Sequence, residues 1–288
     1  MGGRAFEINR GLPPADFLSS MGAPAGNFSA YPESLVKKIL LLLLALAATL
    51  ELAAAEKRVL VYTRNFTKDG KGYVHDNIAT SVAMLKKLGA EHGFAVEASD
   101  KPGVFTDENL KQYSALIFSN SNNEAFEGEE QRAVFQRYIR GGGGFVGIHS
   151  ASGSERNWPY YWAVLGGKFR RHPPLQPFTI QVLDPKHPSA AHLGATWQWT
   201  DEFYYNEQLN PRMRVILAGE FRALNDKKAS ATDPGNAFGE LYPLAWCQEY
   251  DGGRQFYTAL GHKIEYYGDP KFQKHVLGGI LWVLRMKE

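Results

Sequence analysis

The chain has 288 residues, 44% of them hydrophobic and 22% charged, with 32 basic against 30 acidic side chains and a net charge of +2. That near-balance excludes the electrostatic footprint of a nucleic-acid binder, and a single cysteine excludes an internal disulfide.

In chain order, residues 1–33 are rich in Gly, Pro and Ala and show no periodicity. Ser34 to Lys57 reads as a secretory signal. Lys37 and Lys38 supply its basic region, Ile39 to Leu46 its apolar region, and Ala53-Ala54-Ala55 its cleavage site. The apolar run is short for a membrane span and Glu51 soon interrupts it; an uncleaved anchor is the alternative. No cysteine follows that could carry a lipid. A signal normally begins a chain, so the expected start is Val36, read from an alternative start codon. Residues 1–35 are then a disordered or mis-assigned extension, 36–55 the signal, and 56–288 one domain exported to the periplasm or the medium. Residues 1–55 carry four basic and four acidic groups, so the net charge belongs to the domain.

Lys57 to Thr63 is a short β-branched run, the first strand. A glycine-bearing loop leads to a helical pattern over His75 to His92, with Ile78, Val82, Leu85 and Leu88 on one face. Phe94 to Ala98 reads as a strand, and Thr106 as the cap of a short helix with Asn109 at the capping-box position. Ala115 to Ser119 is a buried strand, Glu127 to Arg140 a helix with Val134, Phe135 and Ile139 inward, and Phe145 to His149 the next strand. Gly141 and its neighbours are expected to end the helix, since glycine takes the left-handed conformation at little cost. Strand and helix in alternation predict a parallel sheet covered on both faces. Farther on, Phe178 to Leu183 and Met213 to Ala218 read as strands. Pro243 to Tyr250 and Arg254 to Leu260 read as a hairpin about Asp251-Gly252-Gly253. Asp269-Pro270 opens a last helix with Phe272, Val276, Leu277, Ile280, Leu281 and Leu284 on its apolar stripe.

Ligands of an open parallel sheet bind beyond the carboxyl ends of its strands. Those ends carry Thr63-Arg64-Asn65, the polar loop from Ser119 and Asn120 to Asn123, and His149-Ser150, and the first helix begins near His75 on the same edge. A nucleophile elbow, G-x-Nuc-x-G, laid on Gly147-Ile148-His149-Ser150-Ala151 puts histidine in the nucleophile position. Histidine serves as acid, base or metal ligand far more readily than as a covalent nucleophile. Asp201-Glu202 followed by Tyr204 can orient sugar hydroxyls, bind a cation or transfer protons; a solvated acidic turn is the alternative. Gly261-His262 repeats the design at His149. His172 lies in a proline-stiffened loop, GGKFRRHPP, and Trp246 is one of several aromatics able to stack on a sugar ring. There is no HExxH, no paired CxxC, no P-loop and no GxGxxG after a strand.

GGGGFVGIHSA, GGKF–RRH, HP…L…W…DEFY and PLAWCQEYDGGRQFYTALGH, in this order from about Lys57 to Arg285, resemble the trehalose-utilisation (ThuA-like) family. The resemblance implies the fold of class I glutamine amidotransferases, a flavodoxin-like α/β three-layer sandwich with a mostly parallel central sheet. His149 stands where those enzymes carry cysteine, so glutaminase chemistry is expected to be lost. Carbohydrate catabolism is implied, with a keto-sugar or glycoside as the small-molecule partner. The reaction would be isomerisation, elimination or hydrolysis; a non-catalytic sugar-binding or accessory role is the alternative. His149, His262, Asp201 and Glu202 are the expected catalytic groups, with His75, Asn120, Ser150, His172, Tyr204 and Trp246 as substrate contacts. A divalent metal is left open, with His149, His172 and His262 as its ligands if one binds. A homo-oligomer is left open, and no stable membrane span remains after signal cleavage.

Overall fold

The computed structural model describes residues 34–35, 37–39, 56–228 and 239–288. The expected N-terminal extension and most of the expected signal lie outside the described residues; 34–35 and 37–39 are helical. No helix among the described residues is long and apolar enough to cross a membrane. Glu56–Glu288 forms one compact unit.

Its first half alternates as the periodicity predicts. The elements are β1 (Lys57–Tyr62), β2 (Asn65–Phe66), α1 (Ile78–His92), β3 (Phe94–Ser99), α2 (Asp107–Leu110), β4 (Ala115–Ser119), β5 (Asn122–Asn123), α3 (Glu129–Arg140) and β6 (Gly144–Ile148). After a 3₁₀ turn, His149–Gly153, come α4 (Pro159–Leu165), β7 (Lys168–Arg171), β8 (Gln176–Val182), β9 (Thr196–Asp201), β10 (Tyr205–Glu207) and β11 (Arg214–Glu220). The hairpin β12 (Leu241–Tyr250) and β13 (Gly253–Thr258) precedes α5 (Pro270–Val283).

Nine strands form one sheet in the order β3-β1-β4-β6-β13-β12-β11-β8-β9. The first four pairings, which join five strands, are parallel and the other four antiparallel. The fold is therefore the expected α/β sandwich, with parallel pairing confined to the half that begins the chain and to β13.

Side-chain alternation assigns the layers. Phe118 of β4 packs on Phe135 of α3 and Tyr161 of α4, while the adjacent Ser119 faces α1 through Ser81. Phe256 of β13 lies against Gly279 of α5, and the next residue, Tyr257, meets Trp246 on the opposite face. So α1 and α5 cover one face and α3 and α4 the other. Phe118, Phe126, Phe135, Phe145 and Tyr161 are all 1% exposed or less. Burial of each large ring contributes roughly 2–3 kcal/mol.

Several local expectations shift by a few residues. The helix expected from His75 starts at Ile78, which leaves His75 in the loop. Gly141 ends α3 at φ −73°, and Gly142 takes the left-handed conformation at φ 91°. Thr106 caps α2 by accepting from Asn109 N–H, but Asn109 donates to Val104 and not back to the cap. Asp269 caps α5 as expected, accepting from Lys271 and Phe272 N–H at 2.8 and 2.9 Å.

The antiparallel half curls. Trp199 of β9 lies 4.6 Å from Tyr266 and 5.9 Å from Phe272 of α5. Four strand spacings in a flat sheet would separate β13 from β9 by about 19 Å, and the three residues after Thr258 span at most about 10 Å. Yet Asp201, at the end of β9, accepts a hydrogen bond from Gly261 N–H at 2.8 Å. Only a sheet bent back over α5 satisfies both.

Candidate functional site

The parallel register sets three strand ends level. Ser119 of β4 and Thr258 of β13 both lie across from Ile148 of β6. Asn120, His149 and Ala259 therefore leave the sheet together. His149 turns at once, with φ 51°, a left-handed conformation that costs a residue with a side chain about 1–2 kcal/mol. Two contacts hold it there: Nδ1 lies 2.8 Å from the Ala259 carbonyl, and Tyr257 donates to the His149 carbonyl at 2.9 Å. Gly147 is required by close approach, because a Cβ there would lie 2.5 Å from Leu165 of α4. The geometry of a nucleophile elbow is present with an imidazole at its tip.

Around that imidazole four side chains converge. His149 Nε2 is 3.1 Å from His75 Nε2 and 3.6 Å from Glu202 Oε2, and His262 Nδ1 is 3.2 Å from the same carboxylate oxygen. One ligand atom from each of His75, His149, Glu202 and His262 lies within 4.8 Å of every other. Tyr204 donates its hydroxyl to His149 Nε2 at 3.0 Å. His75 Nδ1 is 3.2 Å from Ser150 Oγ. His262 Nδ1 is buried and makes no hydrogen bond.

Burial grades across the cluster. His149 and His75 are 0% and 4% exposed, whereas the side chains of Glu202 and His262 are 13% and 20% exposed and that of His172 is 34%. The open side therefore faces Glu202, His262 and His172. Tyr73, 59% exposed, overhangs it, with its ring 4.7 Å from His75 and 6.5 Å from His262. Phe169, 4.5 Å from Tyr204, lies under the Arg156 guanidinium.

The electrostatics follow the burial. Desolvation, helped by the neighbouring His149 and His262, pushes His75 down to about 3, so it is a neutral imidazole at physiological pH. Burial works against charge on His262, but the adjacent Glu202 carboxylate outweighs it and holds the pKa above its ordinary value. Burial would raise Glu202; His149 and His262 beside it prevail and keep the carboxyl well below the usual range. Desolvation keeps the Tyr204 hydroxyl protonated.

Of the residues singled out in the sequence, His75, His149, Glu202, Tyr204 and His262 meet here, Ser150 supports His75, and His172 stands at the rim, 3.4 Å from Glu202 Oε1. His149 has no exposed surface, and its Nε2 faces His75 and Tyr204. Three assignments are corrected. Asp201 is fully buried and accepts from Gly261 N–H, Trp199 Nε1 and Glu202 N–H; it fixes the Gly261-His262 turn and does not enter the cluster. Asn120 is 0% exposed and donates to Tyr267 at 2.7 Å, beside Asn77, so it too is a positioning group. Trp246 is 0% exposed, with its indole N–H donating to the Leu165 carbonyl. The described residues whose ligand atoms lie close enough together to share an ion are His75, His149, Glu202 and His262; His172, expected in such a set, is not among them.

Two contributors escaped the sequence reading. Asn77 donates to the carbonyls of Gly261 and His262 at 2.8 and 2.6 Å, and its place just before α1 was the only available signal. Tyr73, in the glycine-bearing loop before His75, carried no signal of its place beside the cluster. The lone thiol is irrelevant to the site: Cys247 is buried in β12, and desolvation pushes it up to about 12. A hollow at the opposite edge of the sheet, lined by Lys57, Asp107, Arg137 and Arg285, has its Arg137 paired with Asp107.

Known structures share this architecture. A putative ThuA-like protein from Bacteroides uniformis superposes with a TM-score of 0.63 at 22% identity, covering 82% of this chain and 95% of the other. One from Parabacteroides merdae gives 0.60 at 19% identity over 81% and 91%. A cytoplasmic protein of Salmonella typhimurium gives 0.53 at 12% over 79% and 98%. At these identities the likeness concerns the fold. No curated protein matches the sequence. The ThuA family model, described as trehalose utilisation, matches residues 58–283. That match runs from the first strand to the end of α5 and spans every residue of the cluster, and on it the chain belongs to the ThuA family.

Proposed function

We propose that this protein acts on an oxidised sugar, a ketose or keto-glycoside, by moving the proton on the carbon beside the carbonyl. The observation that carries the reading is the convergence of three imidazoles and an ionised carboxylate at the carboxyl edge of the sheet, in a chain of a carbohydrate-utilisation family. A carbonyl acidifies the neighbouring C–H, and a positioned base accelerates its removal by about 10²–10⁴-fold.

His172 is the base. It is the most exposed imidazole at the rim, and donation from Nδ1 to the Pro173 carbonyl at 2.8 Å leaves the Nε2 lone pair free to accept. The Glu202 carboxylate, 3.4 Å away, stabilises the imidazolium that forms. When Nε2 takes the proton, the C–H pair becomes the double bond of an enediolate and the carbonyl pair moves to oxygen. Return of the proton to the adjacent carbon gives the isomer; loss of the glycosidic oxygen gives the eliminated product. Tyr73 supplies an exposed ring for a sugar face. With the secretory signal read in Ser34 to Lys57, the reaction takes place outside the cytoplasm.

The test is incubation of the full chain with 3-keto-trehalose and related oxidised disaccharides in deuterated water, followed by NMR of the sugar. Incorporation of deuterium beside the carbonyl is expected, and it should fall by about 10²–10⁴-fold in His172→Ala. Binding of the sugar with no exchange and no product would overturn the reading in favour of an accessory sugar-binding protein.

A further inference from the structure

We propose that His75, His149, Glu202 and His262 are the ligands of a single divalent first-row transition-metal ion. With neutral imidazoles the hydrogen-bond inventory of the cluster does not close without a cation. His149 Nδ1 faces a carbonyl, which only accepts, so the neutral ring carries its proton on Nδ1 and a lone pair on Nε2. Tyr204 already donates to that lone pair, yet His75 Nε2 also sits 3.1 Å from it. If His75 donates to Ser150 from Nδ1, two lone pairs point at each other. If it carries its proton on Nε2, two donors compete for one lone pair. His262 adds a buried Nδ1 that makes no hydrogen bond, although the Glu202 carboxylate lies 3.2 Å away.

A cation takes the lone pairs of His75 and His149 that otherwise face each other and lies beside His262 and Glu202; the Tyr204 hydroxyl then gives up His149 Nε2. Metal–nitrogen bonds of about 2.0–2.1 Å place adjacent ligand atoms about 3.0–3.4 Å apart. The separations of 3.1 Å between His75 and His149 and 3.2 Å between His262 and Glu202 fall in that range. The far side of the two buried imidazoles is built as ligating histidines are built, with Nδ1 of each held by an oxygen, the Ala259 carbonyl or Ser150 Oγ. Three nitrogens and one carboxylate select a transition metal over magnesium or calcium, which favour oxygen.

The ion also removes a difficulty in the chemistry. A bare Glu202 carboxylate would repel an enediolate oxygen, whereas a cation between them attracts it. The burial gradient puts the free coordination position on the Glu202–His262 side, toward His172 and Tyr73, where the adjacent oxygens of a keto-sugar would bind. This role of the ion rests on the sugar reading above; the site itself does not.

The experiment measures metal without sugar. Purified full chain, stripped with a chelator and dialysed, is titrated with Mn²⁺, Co²⁺, Ni²⁺ and Zn²⁺ by calorimetry, with elemental analysis of the untreated protein. One ion per chain is expected, together with a rise in the melting temperature. His149→Ala and Glu202→Gln should lose the ion, while Ser150→Ala should bind it about 10–100-fold more weakly. His172→Ala should keep full stoichiometry. Because His149→Ala could fail to fold, Glu202→Gln is the deciding variant, with its fold checked by circular dichroism. Uptake far below one ion per chain for all four metals, or unchanged affinity in Glu202→Gln, overturns the proposal. Deuterium exchange that persists in the stripped protein sinks the ion's catalytic role and leaves the sugar reading; a bound ion with no exchange sinks the sugar reading and leaves the site.

Discussion

The two halves of the sheet make the site by different means. In the parallel half, β4, β6 and β13 end level, and their register delivers His149 and the Gly261-His262 turn to one edge. In the antiparallel half, four reversals give β9 the direction of β13, so its carboxyl end falls on the same edge, but the strand order leaves it four strand spacings away. Glu202 arrives because the sheet curls onto α5 and Asp201 then grips Gly261. Parallel strand ends position groups through the backbone ladder; the curled half positions them through side-chain packing. The carboxylate is therefore more vulnerable to distant substitution than the imidazoles are.

The sharpest break of this comparison removes one group from the curled half. Glu202→Gln keeps the shape and deletes the charge, and turnover of an oxidised disaccharide should fall by about 10³–10⁴-fold, as much as for loss of an essential acid–base group. A loss below tenfold would mean that the imidazoles alone suffice. Next in size are core truncations. Phe118→Ala, in the parallel half, should destabilise by about 3–5 kcal/mol in urea unfolding. Trp199→Ala should lower stability by a similar amount but also reduce turnover, since it loosens the contact of β9 with α5. Equal retention of turnover in both variants would show that the curl does not position Glu202.

A third probe uses pH. His275, on α5, is fully buried, with Nδ1 on the Ser189 carbonyl and Nε2 3.1 Å from the Thr258 hydroxyl. Burial depresses it to about 3, while the unfolded chain takes up its proton near 6.5. The unfolded state then binds more protons below pH 6.5, so stability falls as pH drops from about 6.5 toward about 3 and is independent of this group above that window. His275→Gln should flatten the slope of urea midpoint against pH there; an unchanged slope would assign it to other groups. The smallest effect is expected at Asp269→Ala, which removes the cap of α5 and should lower stability by about 0.5–2 kcal/mol with turnover intact.

Much of the fold was legible because it is written locally. Apolar β-branched runs gave β1, β4 and β6, the 3.6-residue spacing gave α1 and α3, and Asp269-Pro270 gave the start of α5. Gly147 and His149 marked the turn beyond β6 because a strand that ends in Gly-x-His leaves its last side chain at the edge. What the sequence by itself determined is thus the order of elements, the apolar faces and the strand ends at which polar groups gather. Which of those groups touch was decided only by tertiary structure. His75 became a partner of His149 because α1 starts three residues later than its periodicity implied. Asp201 and Glu202, neighbours in the chain, separated into a buried clamp and a cluster carboxylate. The physical reason is range: propensity and pattern act over a few residues, whereas the meeting of Glu202 with His262, sixty positions on, depends on how far a nine-stranded sheet bends, and that bend is set by the packing of Trp199 on Phe272 and Tyr266.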